Sequence, residues 1–318
     1  MLYERIQMSE ARHNAAGGRV VHRAAAPGDG ALRIEAAVRE QQRLISAAAA
    51  LESAGVEDVH RARVAARRLR SILKTFRPLL EPRRARLYRV DLRSFARALA
   101  AVREADVRHA ILDGIARRDG SIAEADRERL ESLLQDARIA ARDALRRHQA
   151  EPGWLALHRA LARHAAGEAL FVDRRASLGK VLGLVQRSWR RPVRMLADEP
   201  RSTTELHELR LAFKHCRYAL EPVADVAPKA SARLMRRLRA AQDCIGEHRD
   251  TLLADHWVRS NERLLGRELT DRLVSDLASR ERLLRRRAAR RCGRVLEAWR
   301  DWRDATARLR KERSTGRP

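Results

Sequence analysis

The chain contains few cysteines, few aromatic residues and no long hydrophobic segment. Its three cysteines, Cys216, Cys244 and Cys292, are far apart and form no CxxC pair, so we expect a thiol-reducing compartment. No apolar run is as long as a signal-peptide core or a membrane span. An aromatic content of 4% argues against stacking of nucleic-acid bases on aromatic side chains. These absences predict a cytoplasmic protein without membrane insertion.

Lysine is also rare, although the chain is strongly basic. Lysine occupies five of the 68 Lys and Arg positions, the other 63 are arginine, and with 42 acidic residues the formal net charge is +26. Such an excess usually pairs with a polyanion: nucleic acid, an anionic membrane surface or a phosphate polymer. Arginine suits phosphate because its planar fork donates two parallel hydrogen bonds. A GC-rich genome would also raise the arginine count, so the positions of the arginines are more informative than their number.

The spacing of apolar residues predicts an all-α fold. β-Branched residues are sparse, and apolar positions recur every three or four residues. Residues 1–30 have glycine and proline without sustained periodicity and are expected to be a flexible leader, and 311–318 a flexible tail. The breakers between them leave room for helices at about 31–54, 57–77, 83–112, 122–150, 176–197, 203–221, 229–249 and 268–309. Short connections favour two up-and-down four-helix bundles, one in 31–168 and one in 169–310.

An internal repeat supports this division. The segment VHRARVAARRLR at 59–70 recurs 147 positions later as LHELRLAFKHCR at 206–217. At an offset of 146, Leu92, Leu99, Arg103 and Glu104 align with Leu238, Ile245, Arg249 and Asp250. Two matches in the same order predict an internal duplication and a pseudo-twofold relation between the bundles. The first match aligns four cationic or histidine positions, His60, Arg63, Arg67 and Arg70, with His207, Arg210, Lys214 and Arg217.

The repeated helix separates its cations from its apolar residues. At about 100° per residue, His60 and its three arginines fall within an arc of about 80°. Leu69, Ile72, Leu73 and Phe76 lie on the opposite side of the same helical wheel. Cations three or four residues apart repel one another. A chain of phosphates along the stripe would turn this repulsion into attraction. A solvated basic face is the alternative, and the matched second copy makes it less attractive.

Histidine and acidic residues near the repeats offer other interpretations. A histidine close to phosphate would have a raised pKa, so binding should strengthen as the pH falls. The acidic motifs, Arg103-Glu104 with Asp106 and Arg249-Asp250, favour structural ion pairs over a Mg²⁺ site through Asp106 or Asp250. Glu57-x-x-His60 has di-iron spacing, but the second copy has Glu205-x-His207, so the second half of such a site is missing. We therefore expect no metal or other cofactor.

At the two repeated segments the sequence resembles the conserved-histidine α-helical domain (CHAD) family. Each half of that family carries a His-x-x-Arg helix with further basic residues, followed by a helix ending near an Arg-Asp pair. The second signature corresponds here to LAAVREADV at 99–107 and QDCIGEHRD at 242–250, with Glu104 in place of the expected Asp and Leu252 opposite Asp106. The resemblance covers roughly 31–310.

The resemblance implies two pseudo-twofold-related four-helix bundles with a basic groove between them that binds inorganic polyphosphate, and an association with polyphosphate granules. No ExExK strand of the triphosphate-hydrolysing relatives occurs, which favours a stand-alone, non-catalytic module. The polyphosphate-binding residues carried over to this sequence, with Arg68 and Lys74 as adjacent candidates, are His60, Arg63, Arg67, Arg68, Arg70, Lys74, His207, Arg210, Lys214 and Arg217.

Two other functions are compatible with the composition. A nucleic-acid- or ribosome-associated protein is one alternative, because a charge of +26 would bind any phosphate backbone at low salt. No recognition helix with base-reading side chains is evident. A phosphohydrolase is the other, but the sequence has no P-loop or HD dipeptide. The sequence gives no indication of the oligomeric state.

Overall fold

The structure is a computed structural model, and it describes residues 28–49, 56–166, 170–197 and 202–314. Their regular secondary structure is helical, with one isolated β-bridge between Leu80 and Phe171 and no β-strand within the described ranges. The all-α prediction is confirmed. None of the described helices is long and apolar enough to cross a membrane. The α-helices, in chain order, are α1 Asp29–Ala49, α2 Val56–Thr75, α3 Pro82–Ala98, α4 Ala100–Ala116, α5 Glu124–Ala150, α6 Pro152–Ala166, α7 Leu178–Ser188, α8 Arg190–Met195, α9 Thr203–Leu220, α10 Pro228–Ser260, α11 Glu262–Leu265 and α12 Arg267–Ser314.

Short 3₁₀ turns extend two of these helices. Arg77–Leu79 follows α2 and is called η1, and Glu221–Val223 follows α9 and is called η2. Each contains a proline near its start, which ends the preceding helix because proline cannot donate the next backbone hydrogen bond. At the other end of α9, Ser202 and Glu205 form a capping box, which satisfies two backbone amides of the first turn. Both ends of α9 are therefore determined by local sequence.

The predicted flexible ends are shorter than expected where the structure describes them. Helix α1 begins at Asp29, and Ala31 N donates to Ala176 O at 3.1 Å. Most of the predicted leader, 1–27, lies outside the described residues, as do residues 315–318 of the predicted tail. Helix α12 continues to Ser314. Glycine-rich sequence at 28–30 therefore starts a packed helix.

The described residues divide into two compact units, each of which combines segments from both sequence halves. The first contains Arg97–Leu155 and Gly246–Arg286. The second contains the described residues of Val21–Ala96, Ala156–Ile245 and Arg287–Pro318. The sequence duplication predicts two bundles, at 31–168 and 169–310, with a pseudo-twofold relation between them. This arrangement stays a prediction.

Each unit has its own hydrophobic core. In the first unit, α4, α5, α11 and parts of α10 and α12 bury leucine, isoleucine and valine side chains, including Leu112, Leu130 and Leu273. In the second unit, Trp189 stacks on Trp299 with ring centroids 4.3 Å apart, and Trp299 stacks on Trp302 at 5.3 Å. Helices α2 and α9, which carry the repeat, both belong to the second unit.

Candidate functional site

The two copies of the repeated helix pack against each other within the second unit. Arg67 Nε on α2 donates to Tyr218 Oη on α9 at 3.1 Å. Further along α2, Thr75 Oγ1 and His215 Nε2 are hydrogen-bonded at 3.1 Å. The two contacts run in opposite order along the two helices: Thr75 follows Arg67 on α2, whereas its partner His215 precedes Tyr218 on α9. The sequence repeat is thus also a spatial pair.

Helix α2 largely follows the predicted helical wheel. Leu69, Ile72, Leu73 and Phe76 are almost completely buried. The arginines of the stripe are half-buried and Lys74 is exposed, so these cations lie at the boundary between the core and solvent. His60 belongs to α2, but its side chain lies outside the described residues. The half-buried set consists of Arg63, Arg67, Arg68 and Arg70.

Helix α9 departs from the predicted wheel at two cations. His207 and Arg210 are half-buried, but Lys214 is only 9% and Arg217 only 4% exposed. The sequence placed both on a stripe facing away from the packing side. Helix α9 packs against α2, α7 and α8, so its C-terminal half is surrounded on more than one side. These long side chains can be buried while charged when polar groups pair with them.

Tyr218 is one such partner, and it is completely buried. Its hydroxyl oxygen accepts hydrogen bonds from Arg67 Nε and from Arg217 Nη2, both at 3.1 Å. The guanidinium carbons of Arg217, Arg68 and Arg67 lie 4.8, 5.7 and 5.9 Å from the ring centroid, within the range of cation–π attraction. One aromatic ring therefore gathers three guanidinium groups from the two repeated helices.

The three guanidinium groups make the surroundings of Tyr218 positively charged. Burial favours the neutral phenol and would raise its pKa. The charges of Arg67, Arg217 and Arg68 outweigh this effect, and the pKa of Tyr218 is lowered from its usual value of 10.0. Glu221 carries the nearby negative charge, 3.4 Å from Arg68 Nε and 4.0 Å from Arg217 Nε. One carboxylate beside three guanidiniums leaves the cluster positive.

A second concentration of positive charge surrounds Lys74. Although the Lys74 side chain as a whole is exposed, nearby protein atoms partly desolvate its ammonium group, and this desolvation together with the charges of Arg89, Arg191 and Arg70 lowers its pKa. His215 lies close to the same charges, and burial together with Lys74 and Arg89 lowers its pKa to about 4. Both effects indicate that cations from several elements converge here.

The sequence prediction did not include several residues of this region: Arg89, Arg191, His215, Tyr218 and Glu221. Arg89 lies on α3 and Arg191 on α8, where Arg191 Nη2 pairs with Glu208 at 2.9 Å. Their convergence depends on tertiary packing, for which periodicity within one helix carries no signal. Tyr218 directly follows the repeated segment at 206–217, and a scarce aromatic residue at that point was a usable signal.

The acidic motifs take part in ion pairs within the first unit. Asp106 is 3% exposed and lies 3.1 Å from Arg138 Nε and 3.5 Å from Arg142 Nη2. Glu104 lies 3.7 Å from Arg249. These ion pairs agree with the structural interpretation of Asp106 and Glu104, and for Asp250 it stays a prediction. In the part of the chain that the structure describes, no three His, Cys, Asp or Glu side chains are grouped so that they could hold a metal ion.

The model of the CHAD domain family matches residues 35–259. The chain belongs to the CHAD family. Two solved structures share the fold at 20% sequence identity. PptA from Streptomyces chartreusis has a TM-score of 0.66, covering 87% of this chain and all of that one. The CHAD domain from the plant Ricinus communis has a TM-score of 0.62, covering 89% of this chain and 94% of that one. No curated protein gave a significant match.

Proposed function

We propose that this CHAD protein binds inorganic polyphosphate without catalysing its hydrolysis, through the cations of α2 and α9. The main observation in support of this proposal is that the two copies of the basic helix pack together in one compact unit. Solvent reaches six of their predicted binding cations, whereas Lys214 and Arg217 are buried; the six are Arg63, Arg67, Arg68, Arg70, Lys74 and Arg210, and they give the pair a positively charged surface. A polyanion of closely spaced phosphates matches such a surface better than a single small anion does. Family membership supports the choice of polyphosphate.

The binding residues in this proposal are those indicated by the repeat and by the family resemblance. Each guanidinium or ammonium that solvent reaches would gain a charge-assisted hydrogen bond to phosphate, and the bound counterions would be released. Arg89 and Arg191 extend the proposed surface around Lys74, because their charges act on the same ammonium group. The proposed set comprises His60, Arg63, Arg67, Arg68, Arg70, Lys74, His207, Arg210, Lys214 and Arg217.

A matched pair of double variants tests the location of binding. Arg63→Gln with Arg210→Gln removes one half-buried arginine from each repeated helix. Arg290→Gln with Arg294→Gln removes the same charge from exposed positions of α12 in the same unit. We expect the first pair to weaken polyphosphate binding about tenfold or more, since each lost charged hydrogen bond is worth roughly 1.5–3 kcal/mol. The second pair should leave affinity within about twofold, as peripheral charges contribute little. Equal losses would show that net charge alone binds.

Competition separates polyphosphate from nucleic acid as the ligand. Long-chain polyphosphate should displace a labelled DNA or RNA duplex from the protein at physiological salt. Failure of excess polyphosphate to displace the duplex would contradict the proposal in favour of the nucleic-acid alternative. Incubating the protein with polyphosphate and a divalent metal tests the absence of catalysis, and turnover-dependent release of phosphate would overturn it.

In the cell, we propose that polyphosphate binding targets the protein to polyphosphate granules or organises them. A fluorescently tagged protein should co-localise with granules stained for polyphosphate. The Arg63→Gln with Arg210→Gln variant should become diffuse, while the Arg290→Gln with Arg294→Gln variant should remain on granules. Granule association that survives loss of polyphosphate binding in vitro would show that another contact directs localisation.

A further inference from the structure

The Tyr218 hydroxyl is a single oxygen at which guanidinium groups from both repeated helices meet. It accepts from Arg67 of α2 and from Arg217 of α9, both at 3.1 Å. A hydroxyl oxygen has two acceptor lone pairs, so these two hydrogen bonds use its full acceptor capacity. Two like charges held this close repel strongly at low dielectric. A shared acceptor between them reduces that repulsion and fixes their separation.

This acceptor is present in only one copy of the repeat. At the offset of 147 that aligns the two helices, Tyr218 corresponds to Ser71. The Ser71 hydroxyl donates to the Arg67 backbone carbonyl at 3.1 Å, within its own helix. Tyr218 is therefore an asymmetric addition to a duplicated basic surface. Its ring also lies against Arg68, so three cationic side chains border it.

We propose that Tyr218 is a positioning residue: its hydroxyl, shared with the buried Arg217, holds the half-buried Arg67 in place for a phosphate of a polyphosphate chain. The inference rests on the proposed function and adds a neutral, fully buried residue to a site described so far by its charges. Preorganised donors bind more tightly because less side-chain freedom is lost when the ligand arrives. Removing the hydroxyl should weaken binding although it removes no charge.

Tyr218→Phe tests this directly, because phenylalanine keeps the ring and loses the acceptor. Tyr88→Phe is the matched control: Tyr88 is also buried, lies in the same unit, and belongs to α3 outside the two repeated helices. We expect Tyr218→Phe to weaken polyphosphate binding about tenfold, the effect of a hydrogen bond to a charged group. Tyr88→Phe should change affinity less than about twofold. Thermal unfolding of both variants checks that they are folded.

The outcomes distinguish this inference from the proposed function. If the wild-type protein does not bind polyphosphate, the proposed function fails and the inference fails with it. If the wild type binds and Tyr218→Phe binds equally well, only the positioning role is overturned. If Tyr218→Phe binds more weakly and Tyr88→Phe does not, the positioning role is supported.

A spectroscopic measurement on unmutated Tyr218 covers the case in which Tyr218→Phe does not fold. The pKa of Tyr88 is raised to about 12 by burial, whereas the arginines lower that of Tyr218. In a Tyr3→Phe, Tyr88→Phe protein, Tyr218 is the remaining tyrosine, and phenolate absorbance follows its titration. Phosphates on the half-buried Arg67 and Arg68 would offset their positive charge, so saturating polyphosphate should raise this pKa. An unchanged titration at saturating polyphosphate would overturn the inference.

Discussion

At the scale of single residues, His215 shows how the crowded cations affect the stability of the fold. It is hydrogen-bonded to Thr75, and its pKa is lowered to about 4 by burial and by the charges of Lys74 and Arg89. An unfolded chain would protonate this histidine near pH 6.5. Between these two values the unfolded state binds a proton that the folded state does not. The contribution of His215 to stability is therefore complete above pH 6.5 and decreases as the pH falls toward 4.

His215→Gln should reduce the loss of stability on acidification. Between pH 7 and pH 5, we expect the wild-type protein to lose on the order of 1–2 kcal/mol more unfolding free energy than the variant, from this one linkage. Urea unfolding of both proteins at the two pH values measures the difference. The same loss in both proteins would show that His215 titrates normally. The expectation that phosphate binding strengthens at low pH concerns His60 and His207 and stays a prediction.

At the scale of secondary-structure elements, the sequence predicted the helices of the site closely. Helix α2 differs from its predicted range, 57–77, by one or two residues at each end, and α9 ends one residue before its predicted end. Periodicity, the capping box and the following prolines all agree at these positions. The predicted helix at 83–112 is interrupted at Leu99, where neither proline nor glycine marks the break.

Proline explains one missed element. The predicted helices leave residues 151–175 without an element, but Pro152 is the first residue of α6. Proline is favoured at that position because its missing N–H would have no helical partner and its φ angle suits the helix.

Burial of Lys214 and Arg217 was missed for a different reason. A helical wheel separates one packed face from one solvent face, whereas α9 has three helical neighbours.

At the start of α1, Gly30 lies close to backbone atoms of Ala176 and Ser177, and a substitution tests this packing. A Cβ atom added at Gly30 would lie 2.5 Å from Ser177 O and 2.7 Å from Ala176 O, and backbone atoms cannot move away as a side chain can. Gly30→Ala should therefore destabilise the protein by roughly 1–3 kcal/mol. At Gly183 in α7 a Cβ meets nothing within 4 Å, so Gly183→Ala should stabilise by about 0.5–1 kcal/mol. Chemical denaturation measures both changes, and the same sign for both would contradict this account.

At the scale of the whole molecule, the net charge of +26 affects folding and binding in opposite ways. Like charges repel one another more in the compact state than in the expanded unfolded chain, so added salt should stabilise the fold by screening them. Salt also weakens exposed ion pairs, but these contribute little individually. For a bound polyanion the charges attract, and salt reduces the gain from counterion release. Added salt should therefore raise the stability of the fold and lower its affinity for a polyanion.

Raising NaCl from about 50 to about 200 mM should increase the midpoint of thermal unfolding of the free protein. Over the same range, polyphosphate affinity should fall by about a hundredfold or more if six or more phosphates are neutralised, by analogy with protein binding to DNA. The Arg63→Gln with Arg210→Gln variant should show a shallower salt dependence of binding, since fewer counterions are displaced. Its unfolding midpoint should still rise with salt, because most of the positive charge remains. An affinity independent of salt would mean that the cations of α2 and α9 do not contact phosphate.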